Sequence, residues 1–214
     1  MVPAKKKPVP EFNLALAPGQ APLVLEGEHV RLEPLGQEHA EDLLEAAADP
    51  AIWRYLPIAQ PRTVESIRQF IADSGEGKPI ANSIAFAIVH RPSGRAVGST
   101  RYLDIQPPNR GLEIGWTWLG TAQQRSAVNT ECKLLLLRHA FDGLGAVRVQ
   151  LKTDSRNQQS QAAILRLGAQ KEGTLRNHMI LWDGHLRHSV YFSIVDSEWP
   201  AVRTRLEKAL ARKV

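Results

Sequence analysis

Three consecutive stretches decide how this chain folds: Leu112-Glu-Ile-Gly-Trp-Thr-Trp-Leu119, Gln124-Arg-Ser-Ala-Val-Asn-Thr-Glu131 and Lys133-Leu-Leu-Leu-Leu-Arg-His-Ala-Phe141. The first is rich in Trp and Ile and reads as a strand over Gly111 to Leu119. On a regular strand Glu113, Gly115 and Thr117 share one face, and Ile114, Trp116 and Trp118 take the other. The third stretch belongs to a long helix over about Asn129 to Phe141. The second is a tight loop that feeds this helix. A helix start leaves N–H groups unpaired and carries the positive end of the dipole, so a loop of this kind favours an anion.

Working outward, His29 to Leu35 alternates apolar and polar residues and predicts a strand. A helix is expected over Gln37 to Ala48, ended by Asp49-Pro50. Thr63 is placed to cap a second helix whose apolar face holds Val64, Ile67, Phe70 and Ile71. Ser83 to His90 and Arg95 to Asp104 read as partner strands about the turn Pro92-Ser-Gly94. Val147 to Lys152 is a strand, and Ser160 to Leu167 lies on a helix that Gly168 ends. Asp183-Gly184 joins the last two strands as a hairpin, and Ser197 starts a terminal helix. The order is βααβββαβαββα, a mixed sheet with helices, α+β or α/β, in one domain.

Composition sets outer bounds. The chain has 214 residues, 43% of them hydrophobic and 23% charged, enough to build a core. A single cysteine, Cys132, excludes an internal disulfide framework and a cysteine-only zinc site, and the lack of disulfides suits a cytoplasmic setting. No run approaches the roughly 18 apolar residues of a membrane span. Residues 1–22 read as a flexible Pro/Ala-rich tail before a domain over 23–214; Pro8, Pro10 and Glu11 interrupt any secretory apolar segment. The net charge is +5, and Lys5, Lys6 and Lys7 against Glu11 place +2 of it in the tail. The remaining +3 is a weak basis for nucleic-acid binding, which needs a concentrated basic face. His178, His185 and His188 cluster near the final hairpin without a carboxylate or thiol at ligand spacing, so no metal site is expected.

The deciding stretches are followed by Arg148-Val-Gln-Leu-Lys-Thr-Asp154, Asn157-Gln-Gln-Ser160, Leu167-Gly-Ala169 and Glu172-Gly-Thr-Leu-Arg176. The order of strand, tight loop, helix, strand, helix and hairpin resembles the GNAT acyltransferase superfamily. It is most similar to the RimJ/RimL type, whose named members acetylate N-termini of ribosomal proteins. The resemblance covers about Leu25 to Trp199. It implies a single domain with a central, mostly antiparallel twisted sheet flanked by helices. It also implies acetyl-CoA as donor, and a primary amine as acceptor, for example a ribosomal-protein N-terminus. The acceptor would attack the thioester directly. A homodimer is compatible with this reading.

The resemblance assigns residues as follows. The family's loop pattern Q/R-x-x-G-x-G/A, which holds the pyrophosphate on backbone N–H groups, falls on Gln124, Arg125, Ser126, Ala127, Val128, Asn129 and Thr130. Ala127 stands at the first glycine position, which puts the loop's backbone geometry in question. Arg125 is either a phosphate contact or a solvated arginine. Glu113 matches the glutamate that acts as general base, directly or through water; an exposed strand glutamate is the plain alternative. Asn157 and Ser160 match an N-x-x-S pattern in which Asn meets the pantetheine arm and Ser protonates the leaving thiolate. Either could instead be a helix cap. Tyr191 is the rival acid or a packing residue. Cys132 sits in the first turn of a helix, where the dipole favours a thiolate, but is expected to be inert. The acceptor side is expected around Trp53, Arg54, Tyr55 and the Asp183 hairpin. Two other readings compete: an acyl-CoA-binding module with little catalysis, motivated by the missing glycine, and a basic nucleic-acid-binding protein, motivated by a pI of about 9.6.

Overall fold

A computed structural model describes residue 12, residues 22–74 and residues 83–212. Eight strands and five α-helices follow in the order β1 (Leu25–Glu26), β2 (Val30–Pro34), α1 (Ala40–Ala46), α2 (Val64–Ala72), β3 (Ile84–His90), β4 (Arg95–Gln106), β5 (Gly111–Leu119), α3 (Ala127–Arg138), β6 (Arg148–Asp154), α4 (Gln158–Leu167), β7 (Gln170–Ile180), β8 (Leu186–Val195) and α5 (Trp199–Ala211). This is the expected α+β order with one short strand, β1, added in front. Two residues are too few for a periodic signal; β1 exists because β2 pairs with it, Leu25 opposite Leu32. The expected tail lies outside the described residues except for Phe12 and Pro22. Phe12 is buried in the main core.

The strands form one sheet in the order β1-β2-β3-β4-β5-β6-β8-β7. Every neighbouring pair is antiparallel except β5 and β6. That parallel pair is joined over only three residue pairs, Gly111–Arg148, Leu112–Val149 and Glu113–Gln150. Beyond Glu113, β5 stays with β4 out to Gly98–Leu119, while β6 stays with β8 out to Asp154–Ser189. The sheet therefore splits, and the split is the cleft described below.

Each face of the sheet carries its own core. On one face Leu134 to Leu137 of α3 and Trp199, Val202 and Leu206 of α5 pack on Val30, Phe86, Tyr102, Ile114, Val149, Phe192 and Ile194. On the other, α1 and α2 lay Leu43, Ile67, Phe70 and Ile71 against Ala87, Val89 and Trp118, with Trp53 between them. Trp53 and Trp118 meet with ring centroids 5.0 Å apart. α2 starts as expected: Thr63 Oγ1 accepts the Ser66 N–H, and Ser66 Oγ accepts the Thr63 N–H. α4 ends on Gly168 at φ 110°, which only glycine adopts readily. Gly98 is needed for a different reason: a Cβ there would sit 2.1 Å from the Trp118 carbonyl oxygen, where β4 crosses close to β5.

A bulge breaks the alternation of β5. Trp116 adopts φ 51°, and the pairing shifts between Arg101–Gly115 and Ser99–Trp118, so that Trp116 and Thr117 together oppose Thr100. The regular-strand expectation is corrected here. Ile114 faces the α3 core, whereas Trp116 and Trp118 face the α1/α2 core. Thr117 does not share a face with Glu113: its hydroxyl reaches Thr100 Oγ1 at 2.7 Å and receives Lys133 Nζ of α3 at 2.5 Å. A bulge of this kind leaves no mark in a pattern of Trp and Thr, because both are ordinary strand residues.

α3 is tied to the β1–β2 turn by one side chain. The buried Glu131 carboxylate accepts the N–H groups of Glu28, His29 and Val30 at 2.8, 2.7 and 2.7 Å. Without it three donors lose their partner, and each buried orphan costs about 1–3 kcal/mol. Glu131→Ala is therefore expected to destabilise the fold by roughly 3 kcal/mol or more, summed over the three donors. Urea unfolding checks this: the midpoint should fall while the slope is unchanged.

Candidate active site

The split between β5 and β6 opens a cleft of about 400 Å³. Its walls include Glu113 to Leu119 of β5, Leu151 to Thr153 of β6, Asn129 and Lys133 of α3, and Asn157 and Ser160 at the head of α4. Tyr55, Leu56 and Pro57 from the segment before α2 also line it, as do Met179 and Arg187 from the β7–β8 hairpin.

Glu113 sits where the two strands part. It is 1% exposed. Its Oε2 accepts Lys152 Nζ at 2.9 Å and Gln150 Nε2 at 3.0 Å, both from β6. Burial raises the Glu113 pKa above 4.5, against the opposing pull of the Lys152 ammonium. Gly115 leaves the room that this carboxylate occupies, since a Cβ there would lie 2.8 Å from Oε1. The result is a buried carboxylate that is a stronger base than a solvated one, beside an open cleft.

The loop before α3 differs from expectation in its details. The left-handed residue is Arg125, at φ 61°. Ser126 is the N-cap: its Oγ accepts the Val128 N–H at 3.2 Å and donates to the Gln123 carbonyl at 2.7 Å. Ala127 is the first helical residue, where alanine is a favoured helix former, so the absent glycine distorts nothing. Gln124, Arg125 and Asn129 line the cleft. Ser126, Ala127, Val128 and Thr130 are not among its lining residues, and the Val128 side chain belongs to the core. The remaining N–H groups of the first turn have no intrahelical partners and carry the dipole's positive end.

At α4 the two alternatives separate. Asn157 is the cap, accepting the Ser160 N–H on Oδ1 at 3.0 Å. Asp154 fixes the turn ahead of it, accepting the Arg156 N–H at 2.9 Å and pairing with the Arg156 guanidinium at 2.8 Å. The Ser160 hydroxyl is not used as a cap, and Ser160 lines the cleft.

Tyr191 is placed elsewhere. It pairs with Lys152 across β6 and β8, but its hydroxyl lies 3.1 Å from His178 Nε2 and it does not line the cleft. Burial raises its pKa above 10. Cys132 is the sixth residue of α3, beyond the first turn in which it was expected; it is fully buried, and burial pushes its thiol up to about 11. Trp53 is core, with Nε1 donating to the Ala47 carbonyl, and Arg54 lies over the Tyr55 ring. Among the described residues no group of three or more His, Cys, Asp or Glu is placed to hold a metal, and no helix is long and apolar enough to cross a membrane.

Three wall residues escaped the sequence reading. Lys152 lies on a strand face whose partner a one-dimensional pattern does not name. Arg187 comes from β8, is 6% exposed, and reaches the Tyr55 carbonyl at 3.4 Å through Nη1. Lys133 did leave a signal: it is one turn beyond Asn129 and heads a run of four leucines.

Comparison with known proteins agrees with this fold. Residues 29–170 match the family model described as an acetyltransferase (GNAT) domain. The fold is similar to that of a GCN5-related N-acetyltransferase from Brucella melitensis, with a TM-score of 0.84 and 30% identity over 91% of this chain and 88% of that one. A T. thermophilus structure assigned as an acetyltransferase is 39% identical, with a TM-score of 0.80, over 89% of this chain and 98% of that one. Mycobacterium smegmatis RimJ, solved with CoA-disulfide, shares the fold at a TM-score of 0.74 and 19% identity, over 88% of this chain and 95% of that one. The family match over residues 29–170 and the likeness of fold give one answer: the chain belongs to the GNAT acetyltransferases.

Proposed function

We propose that this N-acetyltransferase moves the acetyl group of acetyl-CoA to a primary amine by direct attack in a ternary complex. The observation that carries the reading is the placing of Glu113, buried and raised in pKa, at the point where β5 and β6 part. The first turn of α3, with Gln124, Arg125 and Asn129 around it, meets the donor's diphosphate. Asn157 offers its side-chain amide to the pantetheine arm while its Oδ1 caps α4. M. smegmatis RimJ, which binds CoA-disulfide, shares this fold.

The acceptor approaches from the side of Tyr55, Leu56 and Arg187. Glu113 takes a proton from the ammonium, directly or through water, and frees the lone pair. Nitrogen attacks the thioester carbon, a C–N bond forms, and charge moves to the carbonyl oxygen. Backbone N–H groups on the part of β5 not paired with β6 stabilise that oxyanion. The C–S bond then breaks, and the Ser160 hydroxyl protonates the departing thiolate. Ser160 is favoured over Tyr191 because it lines the cleft and is not used as a cap. The acceptor class includes protein N-termini, those of ribosomal proteins among them, and small amines.

Glu113→Gln removes the base and keeps its shape. Turnover, followed as CoA thiol release with a panel of peptides and amines, should fall by roughly 10²-fold or more. The pH profile gives the sign. The base works only when ionised, so wild-type kcat/KM should fall on the acid side through a pKa above 4.5. In the variant that limb should vanish, and the rate should follow the free amine, rising up to about pH 8 for an N-terminal amine. An unchanged profile would place the base elsewhere.

Ser160→Ala is expected to leave the melting temperature close to that of wild type, because Asn157 holds the cap. It should slow turnover, and less so with thioesters of more acidic leaving thiols. Asn157→Ala should instead cost about 1 kcal/mol of stability. If Tyr191→Phe slows transfer and Ser160→Ala does not, the acid is Tyr191.

A further inference from the structure

The cleft holds a buried guanidinium that no step of the proposed reaction uses. Arg187 of β8 is 6% exposed and lines the cleft. Among the described residues its only hydrogen bond is the long contact from Nη1 to the Tyr55 carbonyl, at 3.4 Å, and its Nε is buried without a partner. No carboxylate of the described residues forms an ion pair with it. The two buried carboxylates whose charges act on it, Asp154 and Glu113, are taken by Arg156 and Lys152. Burial lowers the Arg187 pKa against the pull of both. A buried charge left unpaired is costly, and the ligand that matches a guanidinium fork is a carboxylate, which accepts two parallel N–H bonds.

Position says which substrate brings that carboxylate. Val149 and Leu151 of β6 and Val190, Phe192 and Ile194 of β8 belong to the core under α3. Side chains alternate along a strand, so Gln150 and Lys152 of β6 and Arg187, Ser189 and Tyr191 of β8 take the opposite face. Gln150 and Lys152 both donate to Glu113, which puts Glu113 and Arg187 on one face of the sheet. The Tyr55 carbonyl that Arg187 touches lies between α1 and α2, on that same side, away from α3 and the donor's diphosphate. In register, Glu113 is level with Gln150 and Gln150 with Ser193, and Arg187 lies six residues further along β8, past the last β6 pair, Asp154–Ser189. Glu113 thus stands at the closed end of the split and Arg187 toward its mouth. Six residues of strand and two strand spacings set their Cα atoms about 22 Å apart, and extended side chains reaching toward each other close about half of that. The action of the Glu113 charge on Arg187 agrees with such a reach. The remaining gap of about 10 Å is the span from a peptide's N-terminal amine to an acidic side chain on its second or third residue.

Resting on the reading of the cleft as an acetyltransferase site, we propose that Arg187 selects acceptors that carry a carboxylate about 10 Å from the amine, pairing with it while Glu113 takes the proton of the ammonium. A peptide with Asp or Glu just after its N-terminal residue meets this requirement, and so does a small amino acid whose amine and carboxylate stand at opposite ends of a chain. The transfer balances as before: the C–N bond forms, the C–S bond breaks, CoA leaves as the thiol, and the acceptor's carboxylate stays unreacted on the product amide.

Matched acceptor pairs test this. With acetyl-CoA and the full-length protein, kcat/KM is measured as thiol release for C-terminally amidated peptides with Glu in second or third place, against the same peptides with Gln there. Aminohexanoate is compared with its amide in the same way. In at least one pair, wild type should prefer the acid over its amide by roughly 10–100-fold, the range of one charge-assisted hydrogen bond. A preference confined to the peptides or to aminohexanoate names the source of the carboxylate. Arg187→Gln should bring the ratio close to one and keep its affinity for free CoA, measured by calorimetry, and Arg187→Lys should retain part of the preference. Equal rates within every wild-type pair, or faster amides, overturn the proposal, and that comparison needs no variant to fold. An Arg187→Gln that keeps the full preference also overturns it, as does one that weakens free CoA, which would assign the charge to the donor. Absence of thiol release with every acceptor, the neutral ones included, would instead overturn the acetyltransferase reading beneath it.

Discussion

Two parallel strands that pair for three residues and then part are the constraint on which the rest of the molecule depends. β5 and β6 are joined only from Gly111–Arg148 to Glu113–Gln150, and each then follows its antiparallel partner. Antiparallel ladders hold their strands somewhat better per residue than parallel ones, and the junction between the two halves of the sheet is the one parallel pair. Backbone groups released at the split need partners, and a thioester with its amide-bearing arm is a suitable one. Everything with chemical consequence is arranged around this opening: α3 and its open N-terminus on one side, α4 and its cap on the other, and Glu113 at the apex.

The bulge at Trp116 gives the cleft two different sides. Before it, β5 turns Glu113 toward the face shared with Lys152 and Gln150; after it, Thr117 turns toward α3 and Lys133. One strand thus carries a buried carboxylate on one face of the sheet and holds a buried lysine on the other. The two charges are kept apart, so neither neutralises the other. Trp116 itself stays with the α1/α2 core and takes the Arg101 guanidinium over its ring at 4.6 Å.

Three buried charges of this chain are handled differently. Glu131 is satisfied by three backbone N–H groups and serves the fold. Glu113 is only partly compensated by Lys152, and the imbalance raises its pKa. Lys133 rests on a hydroxyl alone. Glu131 lies away from the cleft, and Glu113 and Lys133 line it.

Much of the fold was legible in the sequence because its signals are local. Thr63 with Ser66, Gly168 and Asp183-Gly184 act through their own neighbours, and periodicity marked strands and helices to within a few residues. The loop before α3 and the Asn157–Ser160 pair were legible as candidates through the resemblance to the family's patterns, and both lie at helix starts in the structure. What the sequence did not decide is which group does what. Asn157 rather than Ser160 became the cap, Tyr191 turned to His178, and the missing glycine proved to sit at a helical position. Those outcomes depend on long-range pairing and burial. The face taken by Thr117 follows from a bulge that no residue in β5 announces. The raised pKa of Glu113 and the lowered pKa of Lys133 follow from desolvation, which exists only once distant strands and helices have packed around them.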